Sequence, residues 1–245
     1  MSIPTEMSTE ASMRMACSMR DWIRVLQFGD STLPTGAFSF SHGLESAIEW
    51  GLVHDASTLR DFVRTSIEQS AACDGVALLI AHEAASAGWL DKVATADQCV
   101  FNRKLNEEMR LMTVRTGKKL MAMAGRVVPE TPLLSSWLGR VTAEATPGTY
   151  PVCLAVVFAA LRLPAQSCFI VQEYSVAMAI LSAALRLMRV DHFDTQGILF
   201  QVNGEIESAY AQAAQKGLED MATYAPAIDV LAATHVKAHV RLFMS

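Results

Sequence analysis

The stretch Thr116-Gly117-Lys118-Lys119 has the outline of a phosphate-binding loop, in which glycine brings backbone N–H groups to a phosphate and lysine adds charge. Two of its parts are missing. Met112 stands where that motif has its first glycine, and Lys119 replaces the hydroxyl that would hold magnesium. The stretch also falls in a helical pattern, where backbone N–H groups are already bonded. His235 and His239 are four apart on a predicted helix, so both imidazoles could face one ion. Two ligands hold a metal weakly, and a second copy of the chain would have to supply the others. The plainer account is that one His packs and the other is solvated. His82-Glu83 lacks the second His of a zinc-protease helix, and no G-x-S-x-G elbow occurs. Cys17, Cys73, Cys99, Cys153 and Cys168 are odd in number and form no C-x-x-C pair, against a disulfide framework or a zinc site. The expectation is a chain with no catalytic residues, no resident metal and no cofactor.

Something other than a reacting group must account for the rest. Apolar residues make up 51% of the 245 and charged ones 18%, ample for a large core. The apolar surplus and thirteen methionines suit adaptable contact surfaces shared with other polypeptides. A net charge of −5 without a basic domain speaks against nucleic acid and against an anionic membrane surface. The acidic, discontinuous N-terminus is not a signal peptide. The longest charge-free stretch, between Glu144 and Arg162, is broken by Pro147, Gly148 and Pro151, which is poor for a membrane helix. Reduced thiols complete the expectation of a cytoplasmic protein that neither binds nucleic acid nor enters a membrane.

The apolar periodicity is helical nearly throughout. Trp22, Ile23, Leu26 and Phe28 form a first stripe. After a turn at Leu33-Pro34-Thr35-Gly36, Ser39 or Ser41 is expected to cap a helix running to Trp50, with Gly43 inside it. Asp55 or Ser57 caps the next, and Asp74 to Ala87 follows. One long helix is predicted over Ala96–Arg126, with a stripe of Phe101, Leu105, Met109, Met112, Thr116, Leu120 and Met123. Leu133–Ala145, Tyr150–Leu163, Ala165–Val190, Gln196–Ala214 and Ala227–Phe243 follow, with Tyr150–Leu163 apolar all round and therefore central. The fold class is all-α: an antiparallel multi-helix bundle forming a single domain over residues 21–245, after a flexible leader over 1–20.

One segment is dense in unusual residues: Asp30-Ser31-x-Leu33-Pro34-Thr35-Gly36-x-Phe38-Ser39-x-Ser41-x-Gly43-Leu44-Glu45. It resembles the opening signature of the urease accessory protein F family. Four further stretches are similar, in the same order: Glu108-x-Arg110-x-x-Thr113-x-x-x-Gly117; Tyr150-Pro151-Val152; Ser182-Ala183-Ala184-x-Arg186-Leu187; and His235…Arg241-Leu242-Phe243-x-Ser245. Departures occur at Ala37, Phe40, Thr149, Arg189 to His192, Val236 and Met244.

The resemblance implies an all-α, dimeric, non-catalytic scaffold for urease maturation. It would join accessory protein H (also called D) and the nickel-carrying GTPase, accessory protein G. The complex docks on apo-urease and delivers nickel, which is cargo here and not a cofactor. Ser39, Gly43, Glu45, Arg110, Arg115, His235, Arg241, Leu242 and Phe243 are the partner-binding residues expected on this basis. A sharper role for Arg110 or Arg115, as an arginine finger on the GTPase, competes with simple ion pairs to Glu107 or Glu108. The alternatives are a helical protein that holds metal at His235 and His239, and a diverged assembly protein with a different client.

Overall fold

The computed structural model describes residues 17–36, 40–105 and 107–222. Over them the chain is all-α, and no extended strand occurs among the described residues. The leader through residue 16, Ser39 and the predicted helix Ala227–Phe243 lie outside this range.

Helix α1 (Met19–Gly29) starts on a reciprocal cap: the Ser18 hydroxyl accepts from the Asp21 N–H, and the Asp21 carboxylate accepts from the Ser18 N–H. Its expected stripe is turned outward. Val25 and Phe28 are buried, whereas Trp22, Ile23 and Leu26 are each more than half exposed. The next helix, α2 (Leu44–Glu49), is shorter than expected. Gly43 is not inside it but caps it, at φ +81°, a left-handed conformation that favours glycine.

Helix α3 (Ala56–Ser70) is capped by Asp55 through Thr58 and runs without a break, through one π turn (Ala71–Gly75), into α4 (Val76–Ser86). The predicted helix over Ala96–Arg126 is two helices, α5 (Leu90–Arg103) and α6 (Glu107–Val127). Lys104 turns extended between them, at ψ 107°. The long periodic stripe hid this break because its apolar spacing continues across it, yet Leu105 in that stripe is 58% exposed. Helix α7 (Pro132–Thr142) begins at Pro132 under a Thr131 cap, and α8 (Tyr150–Ala160) and α9 (Ala165–Leu187) follow. The predicted helix over Gln196–Ala214 also divides at Gly204, into α10 (His192–Asn203) and α11 (Ile206–Ala213).

As its all-apolar sequence predicts, α8 is the central helix. Residues Pro151 to Ala159 are all buried, against α4, α6, α7 and α9. Helix α9 is long and apolar enough to cross a membrane, but it runs through the bundle. Its first half places Cys168 and Phe169 in the core around α8, and its second half places Ile180 and Ala184 in a second core with α2, α3 and α10. It is a core helix joining two apolar clusters.

Candidate functional site

One cleft joins part of the glycine-rich segment to groups from other helices, and none of the predicted partner-binding residues is among the described residues lining it. Its walls include Asp30, Leu33, Thr35 and His42 of the glycine-rich segment, Ser70 and Asp74 at the π turn, Lys104 at the α5–α6 break, and Gln172 of α9. The π turn and the α5–α6 break therefore face the same space. The segment itself is a tight turn. Asp30 accepts from the Thr32 N–H at 2.7 Å, and the Thr35 N–H donates to the Leu33 carbonyl at 2.6 Å. Gly36 sits at φ +84°, where a Cβ would lie 3.1 Å from Lys119 Nζ. His42 and Gly43 both have positive φ. These turns bring the chain back to cap α2.

One buried ion pair lies in the cleft. Lys104 Nζ lies 2.7 Å from both carboxylate oxygens of Asp74, and both residues are buried. Beside them, the Ser70 hydroxyl donates to Glu173 Oε1 at 3.1 Å and accepts from Gln172 Nε2. Burial pushes the fully buried Glu173 carboxyl well above its ordinary value, only partly opposed by the Ser70 bond. Its Oε2 and the Gln172 Oε1 have no hydrogen-bond partner among the described residues. Burial, and next the Lys104 ammonium, lower the His42 imidazole to about 4 against the opposing pull of Asp74. The cleft is thus a polar seam, with one buried ion pair, between two apolar cores.

A second seam fixes α8. Asp97, fully buried on α5, accepts from the Gly148 N–H at 2.7 Å and the Thr149 N–H at 2.8 Å, and from the hydroxyls of Thr146 and Thr149. That loop lies on α6. The Tyr150 N–H donates to Thr113 Oγ1 at 3.2 Å, and a methyl on Gly117 would collide with the Gly148 carbonyl oxygen. Gly117 therefore serves a close helix–loop approach, which accounts for Thr116-Gly117-Lys118-Lys119 without a phosphate.

The other sequence candidates separate. His82 is a core residue whose Nε2 donates to the Leu163 carbonyl at 2.9 Å, and burial lowers its pKa. Burial raises the thiols of Cys153 and Cys168, which removes them as nucleophiles at neutral pH. No cluster of three metal-binding side chains occurs among the described residues. Gly43 is buried and Glu45 half-buried. Arg110, expected at the surface, is half-buried: its Nε donates to the Lys104 carbonyl at 2.8 Å and its guanidinium lies 5.7 Å from the Phe101 ring centre. It supports the break between α5 and α6. Arg115 is exposed on α6. Ser39, His235, Arg241, Leu242 and Phe243 lie outside the described residues.

Sequence inspection missed Asp74, Lys104, Asp97 and Glu173. A lone charge inside an apolar helical pattern was the available signal for Asp74, Asp97 and Glu173, whereas Lys104 follows Arg103 in a charged stretch and carried no such signal. Apolar surface is the other prominent feature. Trp22, Ile23 and Leu26 project from α1, and Phe193 and Phe200 are 89% and 84% exposed on α10.

A family model for UreF matches residues 53–203, from just before α3 to the end of α10. The "Urease accessory protein UreF" of Yersinia pestis (strain Pestoides F) is 54% identical over 223 residues, covering 91% of this chain and 97% of that protein. The chain belongs to the UreF family. The protein of the same name from Yersinia enterocolitica serotype O:8 / biotype 1B is 53% identical over the same shares. The UreF-like stretches noted in the sequence acquire structural meaning here. Thr113 of one is bonded to Tyr150 of another, Gly117 packs on the loop leading to it, and Ala183 and Ala184 of a third are buried in the second core. Membership in this family implies a part in urease maturation alongside other maturation factors.

Proposed function

We propose that this chain is a non-catalytic, cytoplasmic, homodimeric scaffold that joins accessory protein H/D and the nickel-carrying GTPase G on apo-urease and so delivers nickel to it. Family membership supports the setting. The observation that carries the mechanism is the α1 face, where Trp22, Ile23 and Leu26 lie more than half exposed on a well-capped helix. Large apolar and aromatic side chains held on a rigid element are what a protein interface uses as anchors. The buried Lys104–Asp74 pair in the cleft ties two helix irregularities together, which suits a body that keeps its shape while partners assemble on it.

Contact residues follow from this. Glu45, Arg110 and Arg115 are the described members of the expected set that reach solvent, and Ser39, His235, Arg241, Leu242 and Phe243 complete the proposed contacts. Gly43 and Arg110 would act through the shapes of the α2 cap and the α5–α6 break. An arginine finger on the GTPase, at Arg110 or Arg115, competes with ordinary ion pairs to Glu107 or Glu108.

The test is co-purification of the tagged chain with accessory proteins H/D and G and the urease subunits, expressed together. Recovery of all of them in one complex is expected. A chain that elutes alone from cells holding every partner contradicts the proposal. GTP turnover by accessory protein G should fall with the Arg110→Ala or the Arg115→Ala scaffold if a finger acts there, and unchanged stimulation by both ends that reading.

A further inference from the structure

The cleft between the end of α1, α6 and α9 has a volume of about 150 Å³. An apolar cavity of about that size holds one benzene-sized ring. Phe28, Met109, Met112, Pro151, Val176 and Met178 supply the apolar wall. Three of the six are methionines, whose polarizable sulfur packs well against an aromatic ring. Among the described residues, the charges that line the cleft all have partners. Lys104 and Asp74 hold each other, Arg103 donates to the Leu218 and Met221 carbonyls, and Asp30 accepts from the Thr32 N–H. A charged guest would therefore bring a charge that nothing in the wall compensates. The hydroxyls of Ser66, Thr116 and Ser175 are likewise occupied, each donating to a carbonyl of its own helix.

Gln172 differs from these groups. It lines the cleft and is only 4% exposed. Its amide has one orientation, because the Ser70 hydroxyl donates to Glu173 Oε1 and so accepts from Gln172 Nε2 at 3.5 Å. The Oε1 of Gln172 is left with no hydrogen-bond partner among the described residues. A buried amide oxygen has lost its water, and leaving it unpaired is costly. We propose that the cleft binds one small, neutral aromatic molecule carrying a single O–H or N–H donor, its ring against the methionines and its donor on Gln172 Oε1. The inference stands independently of which partners the protein meets.

Phenol and toluene have nearly the same shape and differ in the donor, which makes them the probes. Each is titrated into the full-length chain carrying ¹³C-labelled methionine methyl groups. Phenol is expected to shift the Met109, Met112 and Met178 signals and to bind about three- to tenfold more tightly than toluene, the worth of one neutral hydrogen bond. Gln172→Leu should bring phenol down to the affinity of toluene and leave toluene binding intact. Ala179→Phe, which fills the cleft from α9, should abolish both. If Ala179→Phe does not fold, the wild-type comparison and Gln172→Leu decide. No binding of either probe, which would mean a cleft that holds water alone, overturns the proposal. So do equal affinities in the wild type, a preference for phenol that survives Gln172→Leu, and shifts that centre on the exposed Met19 instead.

Discussion

Lys104 lays its ammonium across both oxygens of Asp74 at 2.7 Å, and each residue stands at an interruption of the helical pattern. Asp74 lies in the π turn between α3 and α4, and Lys104 at the break between α5 and α6. The two irregularities are held together by one buried ion pair. Removing one partner of such a pair costs about 3–5 kcal/mol, because the other charge is left uncompensated, whereas replacing both costs far less. Asp74→Asn and Lys104→Met should therefore each lower the urea midpoint strongly, and the Asp74→Leu/Lys104→Met double variant should recover much of the loss. A double variant as unstable as the sum of the singles contradicts this.

Asp97 holds the entry to α8 with two backbone and two hydroxyl donors. Hydrogen bonds to a charged acceptor contribute about 1.5–3 kcal/mol each and do not add simply. Asp97→Ala should cost on the order of 3 kcal/mol in urea unfolding. It should also raise amide exchange at Gly148 and Thr149 ahead of the rest of the protein. Unchanged exchange there would place the anchor elsewhere.

The half-buried His42 and the buried Glu173 oppose each other in pH. The folded His42 takes its proton near 4 while the unfolded chain takes it near 6.5, so its contribution to stability is present above 6.5 and is lost as pH falls toward 4. The folded Glu173 carboxyl has a raised pKa, so its contribution is full below about 4.5 and is lost as pH rises above that. Glu173→Gln keeps the acceptor for Ser70 and removes this loss. Its advantage over wild type in chemical denaturation should be absent near pH 4 and should widen as pH rises. His42→Asn, a residue that tolerates positive φ, should flatten the fall between 6.5 and 4. A pH-independent offset in either variant contradicts the assignment.

Gly117 has no room for a side chain, since a Cβ would strike the Gly148 carbonyl, which is backbone and cannot turn away. Gly117→Ala should destabilise by about 1–3 kcal/mol, the usual range for overpacking, although alanine favours an isolated helix. A more stable variant would show that the loop moves freely.

The all-helical class and most helix positions were legible because amphipathic periodicity reports burial directly. Helix α8 stood out as central since no polar face interrupts it. Breaks were not legible. The stripe through Phe101, Leu105 and Met109 keeps its spacing across residue 104, and only the tertiary demand that Lys104 reach Asp74 ends the helix there. Gly43 was placed inside a helix because its left-handed φ is invisible to composition. The outward turn of Trp22, Ile23 and Leu26 was hidden for a similar reason: periodicity identifies an apolar face but not what covers it. The cleft was half legible. Its glycine-rich wall was recognisable from residue types, but the charged groups came from positions 30 to 100 residues apart, beyond any local pattern.

Assembly through an exposed face, and not chemistry in the cleft, is the core of this account, and activation of apo-urease in a defined mixture with nickel and the other accessory proteins tests it most directly. Trp22→Asp/Ile23→Asp alters exposed positions and should leave the unfolding midpoint nearly unchanged, within about 0.5 kcal/mol per site. The account predicts that this variant, folded and intact, yields little active urease. Activation equal to the wild type's would contradict it.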